Sequence, residues 1–390
     1  MPPTDLMIDA DGHVLEPARL WREYVEPRFR AQAIQVIERE DGTETLRVPS
    51  DRPPSVSRLG PVSAGWCGRD LRECYRRNHE LKYERDAKQG GFLPEPRLHD
   101  MDDEEIRVAV LYPTMYLYLG GIQDVALADA LCRAYNDWLA DYCRADPKRL
   151  FGVAAVPLQD VELARREATR AVRDLGFRGV FVRPNPYLGR KKFHHPDYDP
   201  FWATIQDLDV PLGLHPFLMD DMPGAIRDLG LKDPASPDPA REIYITQMVG
   251  NPFDEMLALS CFIMGGVCER FPRLRLLFLE SGGGWIAHWL ERMDHHREIF
   301  DHEGRLKLKP SDYFRRQCWI SFDPDEKTLP AIARFIGADR VLWASDYPHP
   351  DAVYPGAVRA LRGVLSELPA ADQARIFGGN AREVYKLPVN

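Results

Sequence analysis

The sequence predicts an α/β protein built as a closed (β/α)8 barrel, the TIM-barrel architecture. Short runs that are apolar on both faces recur eight times along the 390 residues, and longer amphipathic segments lie between them. Such runs are typical of buried parallel strands. A doubly wound open sheet is the alternative, but none of the runs is followed by the Gly-x-Gly-x-x-Gly turn of its dinucleotide-binding form.

Each predicted strand is short and rich in residues that favour β-structure. Val-Ala-Val-Leu-Tyr at 108–112 and Leu-Leu-Phe-Leu at 276–279 are examples. The eight predicted strands are 6–9, 106–112, 151–156, 178–182, 210–214, 274–279, 317–322 and 340–345.

The segments between the strands show helical periodicity. In 160–175, apolar residues that include Leu163 and Ala164 fall on one stripe. This segment stops at Gly176, a residue type favoured just after a helix. The predicted helices are 124–144, 160–175, 199–208, 253–270, 285–300, 325–336 and 370–376.

Two insertions interrupt the strand–helix repeat. Residues 26–100 follow the first strand, and residues 216–252 follow the fifth. Loops after the carboxyl ends of barrel strands lie over the mouth, where substrates bind. We expect both insertions to cover the mouth as lid or dimer elements of a single domain, residues 1–390.

Composition excludes some partners. Lys and Arg total 51 and Asp and Glu total 60, a net charge of −9, whereas nucleic-acid binding needs a basic face. The longest uncharged run, Val108 to Gln123, contains Pro113 and is shorter than the roughly 18 apolar residues that span a membrane. We expect neither a nucleic-acid nor a membrane partner.

The termini and cysteines predict a cytoplasmic location. The N-terminus, Met-Pro-Pro-Thr-Asp-Leu, lacks the basic and apolar regions of a signal peptide. The seven cysteines are an odd number, are widely spaced and include no Cys-x-x-Cys pair. This pattern argues against both a disulfide framework and a zinc ribbon. We expect reduced, mostly buried thiols.

Four polar residues at strand ends could converge on a metal ion. Asp11 and His13 share one face of the first strand, since residues i and i+2 of a strand point the same way. Alone, this pair is equally compatible with a turn aspartate and a packed histidine. His215 and Asp346 follow the fifth and eighth apolar runs. Three or four N/O ligands with an open position are typical of a catalytic metal site.

Other polar residues at strand ends are candidates for substrate contact. Arg183 and Asn185 end the fourth strand, where they would bind a substrate carboxylate or carbonyl or instead form an ion pair that closes the loop. Glu280 ends the sixth strand, and His349 lies three residues after Asp346. We expect Asp323, at the end of strand seven, to cap helix 325–336.

The spaced motifs resemble those of the amidohydrolase-related branch of the amidohydrolase superfamily, which includes aminocarboxymuconate-semialdehyde, γ-resorcylate and carboxyvanillate decarboxylases. The resemblance covers nearly the whole chain. It is carried by 9–13 (Asp-Ala-Asp-Gly-His) with Glu16-Pro17, 111–114 (Leu-Tyr-Pro-Thr), 179–186 (Gly-Val-Phe-Val-Arg-Pro-Asn-Pro), 214–216 (Leu-His-Pro), 280–285 (Glu-Ser-Gly-Gly-Gly-Trp), 345–349 (Ser-Asp-Tyr-Pro-His) and 379–381 (Gly-Asn-Ala).

The resemblance implies one divalent metal, usually zinc and sometimes manganese, and a homodimer. The family's ligand positions fall on Asp11, His13, His215 and Asp346. One departure concerns the catalytic histidine that the decarboxylases carry just after strand six. Ser281 occupies that position here, beside Glu280.

Two reactions on a small-molecule substrate follow from these residues. In the first expectation, a metal-activated water hydrolyses a small carbonyl compound, with Asp346 as the general base, and Glu280 orients the water or protonates the leaving group. The alternative is non-oxidative decarboxylation of an aromatic or unsaturated acid, in which Glu280, His349 or the metal–Asp346 pair supplies the proton. A catalytically inactive binding barrel is the third hypothesis.

Overall fold

A computed structural model describes residues 6–49, 60–231 and 244–389. Its eight-stranded sheet is parallel, and the strand order follows the chain. The strands β1 to β8 are Ile8–His13, Val108–Tyr112, Leu150–Ala155, Gly179–Val182, Leu212–Leu214, Leu276–Phe278, Cys318–Phe322 and Val341–Trp343. All eight predicted strands are confirmed, and with them the (β/α)8 barrel.

The barrel is closed by contacts between β8 and β1. The backbone N–H of His13 donates to the carbonyl of Tyr347 at 2.7 Å. The carboxylate of Asp9 accepts a hydrogen bond from the backbone N–H of Ser345 at 3.0 Å. These contacts bring the carboxyl ends of the first and last strands together at the mouth.

One helix after each strand surrounds the sheet. Helices α1 to α8 are Pro94–Asp103, Val125–Cys143, Val161–Arg173, Asp199–Leu208, Asn251–Ile263, Trp285–Phe300, Leu329–Ile336 and Ala357–Leu365. Further short helices are Leu71–Arg76, Tyr83–Asp86, Ala225–Asp228, Val267–Arg270, Pro310–Gln317, Ala370–Ala374 and Asn380–Val384. Gln35–Glu38 and Glu44–Arg47 form an antiparallel hairpin.

Two predicted helices differ from the observed ones. Segment 253–270 is broken after α5 because Gly266 adopts the left-handed conformation, with φ of 77°. Segment 325–336 becomes helical only from Leu329, so the prediction that Asp323 caps this helix is wrong; Thr328 stands at its N-cap. The periodicity did not indicate α1 or α8, which are short and lie beside prolines or glycines.

The core lies within the barrel and between the strands and helices. Every residue of β2, β3 and β7 is buried, as expected for strands covered on both faces. The seven cysteines carry free thiols, and six of them are buried. In the described part of the chain, no helix has both the length and the apolar character needed to cross a membrane.

Both insertions occupy the positions that the sequence predicts, after β1 and after β5. Their segments 50–59 and 232–243 lie outside the described residues. The described parts reach the mouth of the barrel: Pro61 and Ala64 of the first insertion and Phe217 and Met219 of the second line one cavity there.

Candidate metal centre and active site

The carboxyl ends of β1, β5 and β8 bring the four predicted ligands together. The Nε2 atoms of His13 and His215 lie 3.2 Å apart. Asp346 Oδ1 lies 3.4 Å from His13 Nε2, and Asp11 Oδ2 lies 3.7 Å from His215 Nε2. The structure therefore places these four side chains around one point at the barrel mouth, as the spacing predicts.

Backbone carbonyls fix the orientation of both histidine rings. His13 Nδ1 donates to the carbonyl of Pro113, and His215 Nδ1 donates to the carbonyl of Pro216, each at 2.8 Å. The proton on Nδ1 leaves each Nε2 as a lone-pair donor. Two lone pairs that face each other at 3.2 Å repel unless a cation lies between them. This is the arrangement expected of two metal ligands.

Glu280 extends the cluster from the end of β6. Its Oε2 lies 3.0 Å from His215 Nε2 and 3.8 Å from His13 Nε2. Glu280 and Asp346 both adopt left-handed backbone conformations, with φ of 39° and 55°. Such conformations strain an L-residue and concentrate at functional sites. The turns after β6 and β8 therefore hold these two carboxylates in place at a cost in local energy.

His349 joins the cluster through Asp346. Its Nδ1 lies 2.6 Å from Asp346 Oδ1, and its Nε2 lies 2.9 Å from Thr114 Oγ1. The His349 ring lies 4.1 Å from the ring of His13, centre to centre, and lines the cavity at the mouth. His349 is thus a hydrogen-bonded imidazole between the candidate ligands and the cavity.

The donor set fits a divalent cation. Two overlapping groups have donor atoms within 4.8 Å of one another, namely His13, Glu280, Asp346 and His349, and Asp11, His13 and His215. Asp11 Oδ1 is buried and has no hydrogen-bond partner among the described residues. Because a buried carboxylate oxygen without a partner is unfavourable, a cation at this position would satisfy it. Imidazole and carboxylate donors suit zinc and manganese.

Burial and neighbouring charges shift the pKa values of the two histidines in opposite directions. Burial, reinforced by His349 and His215, holds the pKa of His13 well below its ordinary value. Burial alone would also lower the pKa of His215, but the carboxylates of Asp11 and Glu280 raise it above its ordinary value. His13 is therefore a neutral donor, whereas His215 attracts a proton wherever no metal competes for its Nε2.

The carboxylates repel one another in the buried cluster. Burial raises the pKa of Asp11 well above its ordinary value, and Glu280 and Asp346 add to the effect. Burial and then Glu280 likewise raise the pKa of Asp346. Burial would raise the pKa of Glu280 too, but His215 lowers it. A divalent cation would allow all three groups to ionise together.

Glu16 is a functional residue that sequence reasoning missed, although the motif contains it. Its buried carboxylate accepts hydrogen bonds from the backbone N–H groups of Thr114 at 3.0 Å, Met115 at 2.8 Å and Tyr116 at 3.1 Å. The same loop contains the Pro113 carbonyl that holds His13 and the Thr114 hydroxyl that contacts His349. Glu16 therefore positions two histidines through the backbone.

Arg97 supports β1 from behind. Its Nη1 donates to the carbonyl of His13 at 2.8 Å, and its Nη2 lies 3.8 Å from Asp9 Oδ2. Gly12 makes this approach possible, because a Cβ atom there would lie 2.4 Å from Arg97 Nη2. The glycine of the first-strand motif therefore serves the packing behind the candidate ligands.

Arg183 and Asn185 do not line the cavity beside His349 in the described structure. Arg183 Nη1 lies 2.8 Å and 2.9 Å from the carboxylate oxygens of Asp221, so it forms the loop-closing ion pair that the sequence left as an alternative. Asn185 Nδ2 donates to Pro223 O at 3.1 Å and Asp254 Oδ2 at 3.0 Å. A substrate contact for either residue stays a prediction.

The cavity at the mouth has an apolar part and an acidic part. The apolar part, about 110 Å³, is lined by Met115, Leu117 and Tyr118 among others. The acidic part, about 230 Å³, is lined by Asp323 and Asp346. Glu280 and Asp351 line both parts. A small, flat molecule could lie against the apolar wall with its reacting end at the candidate metal centre.

Comparison with known proteins gives the family. Residues 8–387 match the family model described as amidohydrolase. The chain is 29% identical to the γ-resorcylate decarboxylase of Polaromonas sp. strain JS666 over an alignment of 323 positions that covers 76% of this chain and 93% of that protein. It is 26% identical to the 2-amino-3-carboxymuconate-6-semialdehyde decarboxylase of Dictyostelium discoideum over 320 residues, covering 79% and 81% of the two chains.

A solved structure has the same fold. It is a dihydroxybenzoic acid decarboxylase from Polaromonas sp. JS666 with bound manganese and the inhibitor 2-nitroresorcinol, which superposes with a TM-score of 0.65 at 22% identity and covers 99% of this chain and 98% of its own. The relatives are enzymes, which supports an enzyme rather than an inactive binding barrel. Decarboxylation matches them better than the hydrolysis that was expected first. The family model spans almost the whole chain, and the chain belongs to the amidohydrolase family.

Proposed function

We propose that the protein is a metal-dependent, non-oxidative decarboxylase of an aromatic or unsaturated carboxylic acid. The observation that carries the proposal is the convergence of His13, His215 and Asp346 beside Glu280 and His349, which line an apolar cavity at the barrel mouth. Two curated relatives that match over three quarters of the chain are decarboxylases, and this supports the same reaction class here.

Asp11, His13, His215 and Asp346 would hold the metal, with Glu280 as an additional carboxylate beside it. The manganese in the related decarboxylase structure supports one divalent ion of this kind, and zinc remains the family expectation. When bound, such an ion supplies a positive charge that anchors a substrate carboxylate and stabilises negative charge that develops next to it.

The chain's own residues orient the substrate and handle the proton. The apolar wall around Leu117, Tyr118 and Phe217 would hold a ring or an unsaturated chain and exclude water from it. His349, held by Asp346 and Thr114, would deliver a proton to the carbon that bears the carboxylate. The new carbon–hydrogen bond uses a π electron pair of the ring or double bond. When the carbon–carbon bond breaks, CO₂ leaves and the electrons of that bond restore the π system.

This assignment accounts for the serine in the position of the usual catalytic histidine. Ser281 Oγ contacts its own turn and the indole of Trp285. It has neither the charge nor the basicity needed to transfer a proton. His349 follows β8, two strands along the sheet from β6, and lines the mouth cavity, so it would take over the proton transfer.

Metal-assisted hydrolysis is a second candidate because of Glu280. A carboxylate 3.0 Å from a candidate ligand could orient a water molecule for attack on a carbonyl. In that reaction Glu280 would act as a base, whereas in decarboxylation it would only balance the charge of the metal.

We also propose that residues 1–390 act as one domain on a small-molecule substrate. Lining of the mouth cavity by residues from both insertions supports a role for 26–100 and 216–252 over the mouth. The homodimer and the cytoplasmic location stay predictions.

The test is CO₂ release by manganese-loaded and zinc-loaded protein from a panel of hydroxybenzoates and unsaturated acids. We expect turnover by the wild type and by an exposed-site control, His295→Ala. We expect His349→Ala to retain the metal and lose about 10²-fold or more of the rate. Turnover of esters or amides without release of CO₂ from any acid would replace decarboxylation by hydrolysis.

A further inference from the structure

We propose that the substrate is a monocarboxylic acid on a flat apolar skeleton, and that Asp323 and Asp351 exclude molecules with a second anionic group. The inference rests on the proposed decarboxylation and names the substrate class for the same site. It comes from the charge distribution of the mouth cavity, not from the reaction itself.

The cavity separates apolar from charged surface. Its two parts meet at Gln247, Glu280 and Asp351. One part presents aromatic and aliphatic side chains, with the rings of Tyr118 and Phe217 packed edge to face at 4.7 Å. A ring bound there would project its substituents into the acidic part.

Among the described residues, no cationic side chain lies in the wall of the acidic part. Glu280, Asp323, Asp346 and Asp351 line it, and no lysine or arginine does so within residues 6–49, 60–231 and 244–389. Four carboxylates around one divalent ion leave the site negative even when the metal is bound. The metal balances one substrate carboxylate, and nothing in the described wall balances a second.

Cations on the elements around the mouth are paired with other groups. Arg183 is held between the two carboxylate oxygens of Asp221. Arg97 donates to the carbonyl of His13 behind β1. Lys88 lies 3.0 Å from Asp100. Release of any of these cations to a ligand would leave a buried or half-buried partner unsatisfied.

Charge repulsion would therefore select among acids. A second carboxylate that faces Asp323 and Asp351 meets like charges in the acidic part of the cavity, which weakens binding by a factor on the order of 100. A hydroxyl group at the same position instead donates a hydrogen bond to either aspartate. The favoured substituent beside the reacting carboxylate is thus a neutral hydrogen-bond donor.

A matched pair of ligands tests the inference on the manganese-loaded full chain. The probes are 2,6-dihydroxybenzoate and 3-hydroxyphthalate, and the second acid carries a carboxylate in place of one of the two hydroxyl groups beside the carboxylate of the first. We expect kcat/KM and the association constant from calorimetry to favour the monoacid by on the order of 100-fold. Asp323→Asn and Asp351→Asn should each lower this preference for the monoacid over the diacid about 10-fold. Asp325 is an exposed neighbour that lies outside the cavity wall, so Asp325→Asn should leave the preference for the monoacid unchanged.

The outcomes separate this inference from the proposed function. Equal decarboxylation of both acids would overturn the charge selection and leave the function standing. Tighter binding of the monoacid without CO₂ release from either acid would do the opposite. Equal binding of the two acids, binding of neither, or an equal effect of Asp325→Asn and Asp323→Asn would also overturn the selection.

Discussion

The two halves of the barrel mouth are organised in different ways. On the side of β1 and β5, backbone carbonyls fix the rings of His13 and His215 at 2.8 Å. On the side of β6 to β8, Glu280, Asp346 and Asp351 crowd together, and burial and mutual repulsion raise the pKa of both aspartates. The histidine half is pre-organised by the fold, whereas the acidic half needs a bound cation to offset part of its internal repulsion.

The difference indicates separate duties. Rigid imidazoles with fixed tautomers set the position of a metal ion. Carboxylates that repel one another favour the binding of a cation and disfavour the binding of an additional anion. A variant in the histidine half should therefore disturb the geometry of the site, whereas a variant in the acidic half should disturb its charge balance.

Loss of Asp346 should have the largest effect, because this residue links the two halves. Its Oδ1 lies 3.4 Å from His13 Nε2 and 2.6 Å from His349 Nδ1. We expect Asp346→Asn to weaken metal binding and, even when the metal site is full, to lower kcat about 10³-fold because His349 loses its carboxylate partner. Steady-state kinetics at saturating manganese measure this, and a fully active variant would contradict the site.

Loss of the Glu280 charge should lower the activity less, and excess metal should restore most of it. We expect Glu280→Gln to weaken metal binding about 10- to 100-fold and to regain most of its kcat when manganese is in excess. The measurement is activity against metal concentration. A deep loss of kcat that excess metal does not reverse would instead give Glu280 a proton-transfer role.

Loss of the Glu16 carboxyl group should disturb the histidine half without touching a ligand. We expect Glu16→Gln to lower kcat about 10-fold while one metal per chain is retained, because the loop that holds His13 and His349 is loosened. The matched control is Glu104→Gln: Glu104 is a buried carboxylate that accepts the N–H groups of Gly356 and Ala357 at the start of α8. The Glu104→Gln variant should lose stability while its kcat stays unchanged. A fall in kcat equal to that of Glu16→Gln would refute a positioning role for Glu16.

The smallest effect is a pH dependence of stability. Burial raises the pKa of Glu16 from 4.5 to about 7, so between these values the folded chain binds a proton that the unfolded chain releases. The stability from this proton is complete below pH 4.5 and is lost as the pH rises through 7. Relative to Glu16→Gln, the wild type should lose about 3 kcal/mol of unfolding free energy between pH 4.5 and 8. Urea unfolding of both proteins measures this free energy. A difference between the wild type and Glu16→Gln that stays constant with pH would contradict the prediction.

The sequence predicts the barrel and the four convergent side chains because both depend on local patterns. An apolar run that ends in a polar residue marks a barrel strand and its carboxyl end, and this is how His215 and Asp346 were found. Asp11 and His13 follow from the two-residue repeat of a strand. Both its position at the end of the sixth strand and the motif resemblance indicate Glu280.

Residues that act through the backbone could not be found in this way. Glu16 binds three amides about 100 residues away, and nothing in its neighbourhood of the sequence indicates that contact. Arg183 has the chemistry of a carboxylate receptor, but Asp221, 38 residues along the chain, occupies it. Such pairings depend on how the second insertion folds back on β4, which periodicity does not encode.

Metal content per chain, with the fold monitored by circular dichroism, tests the central claim most directly. The protein is purified without chelators, reconstituted with manganese or zinc and analysed for bound metal. We predict about one ion per chain for the wild type and for His295→Ala, and much less than one for folded His215→Ala. A folded wild type that takes up no metal, or a His215→Ala variant that retains a full equivalent, would contradict the metal centre.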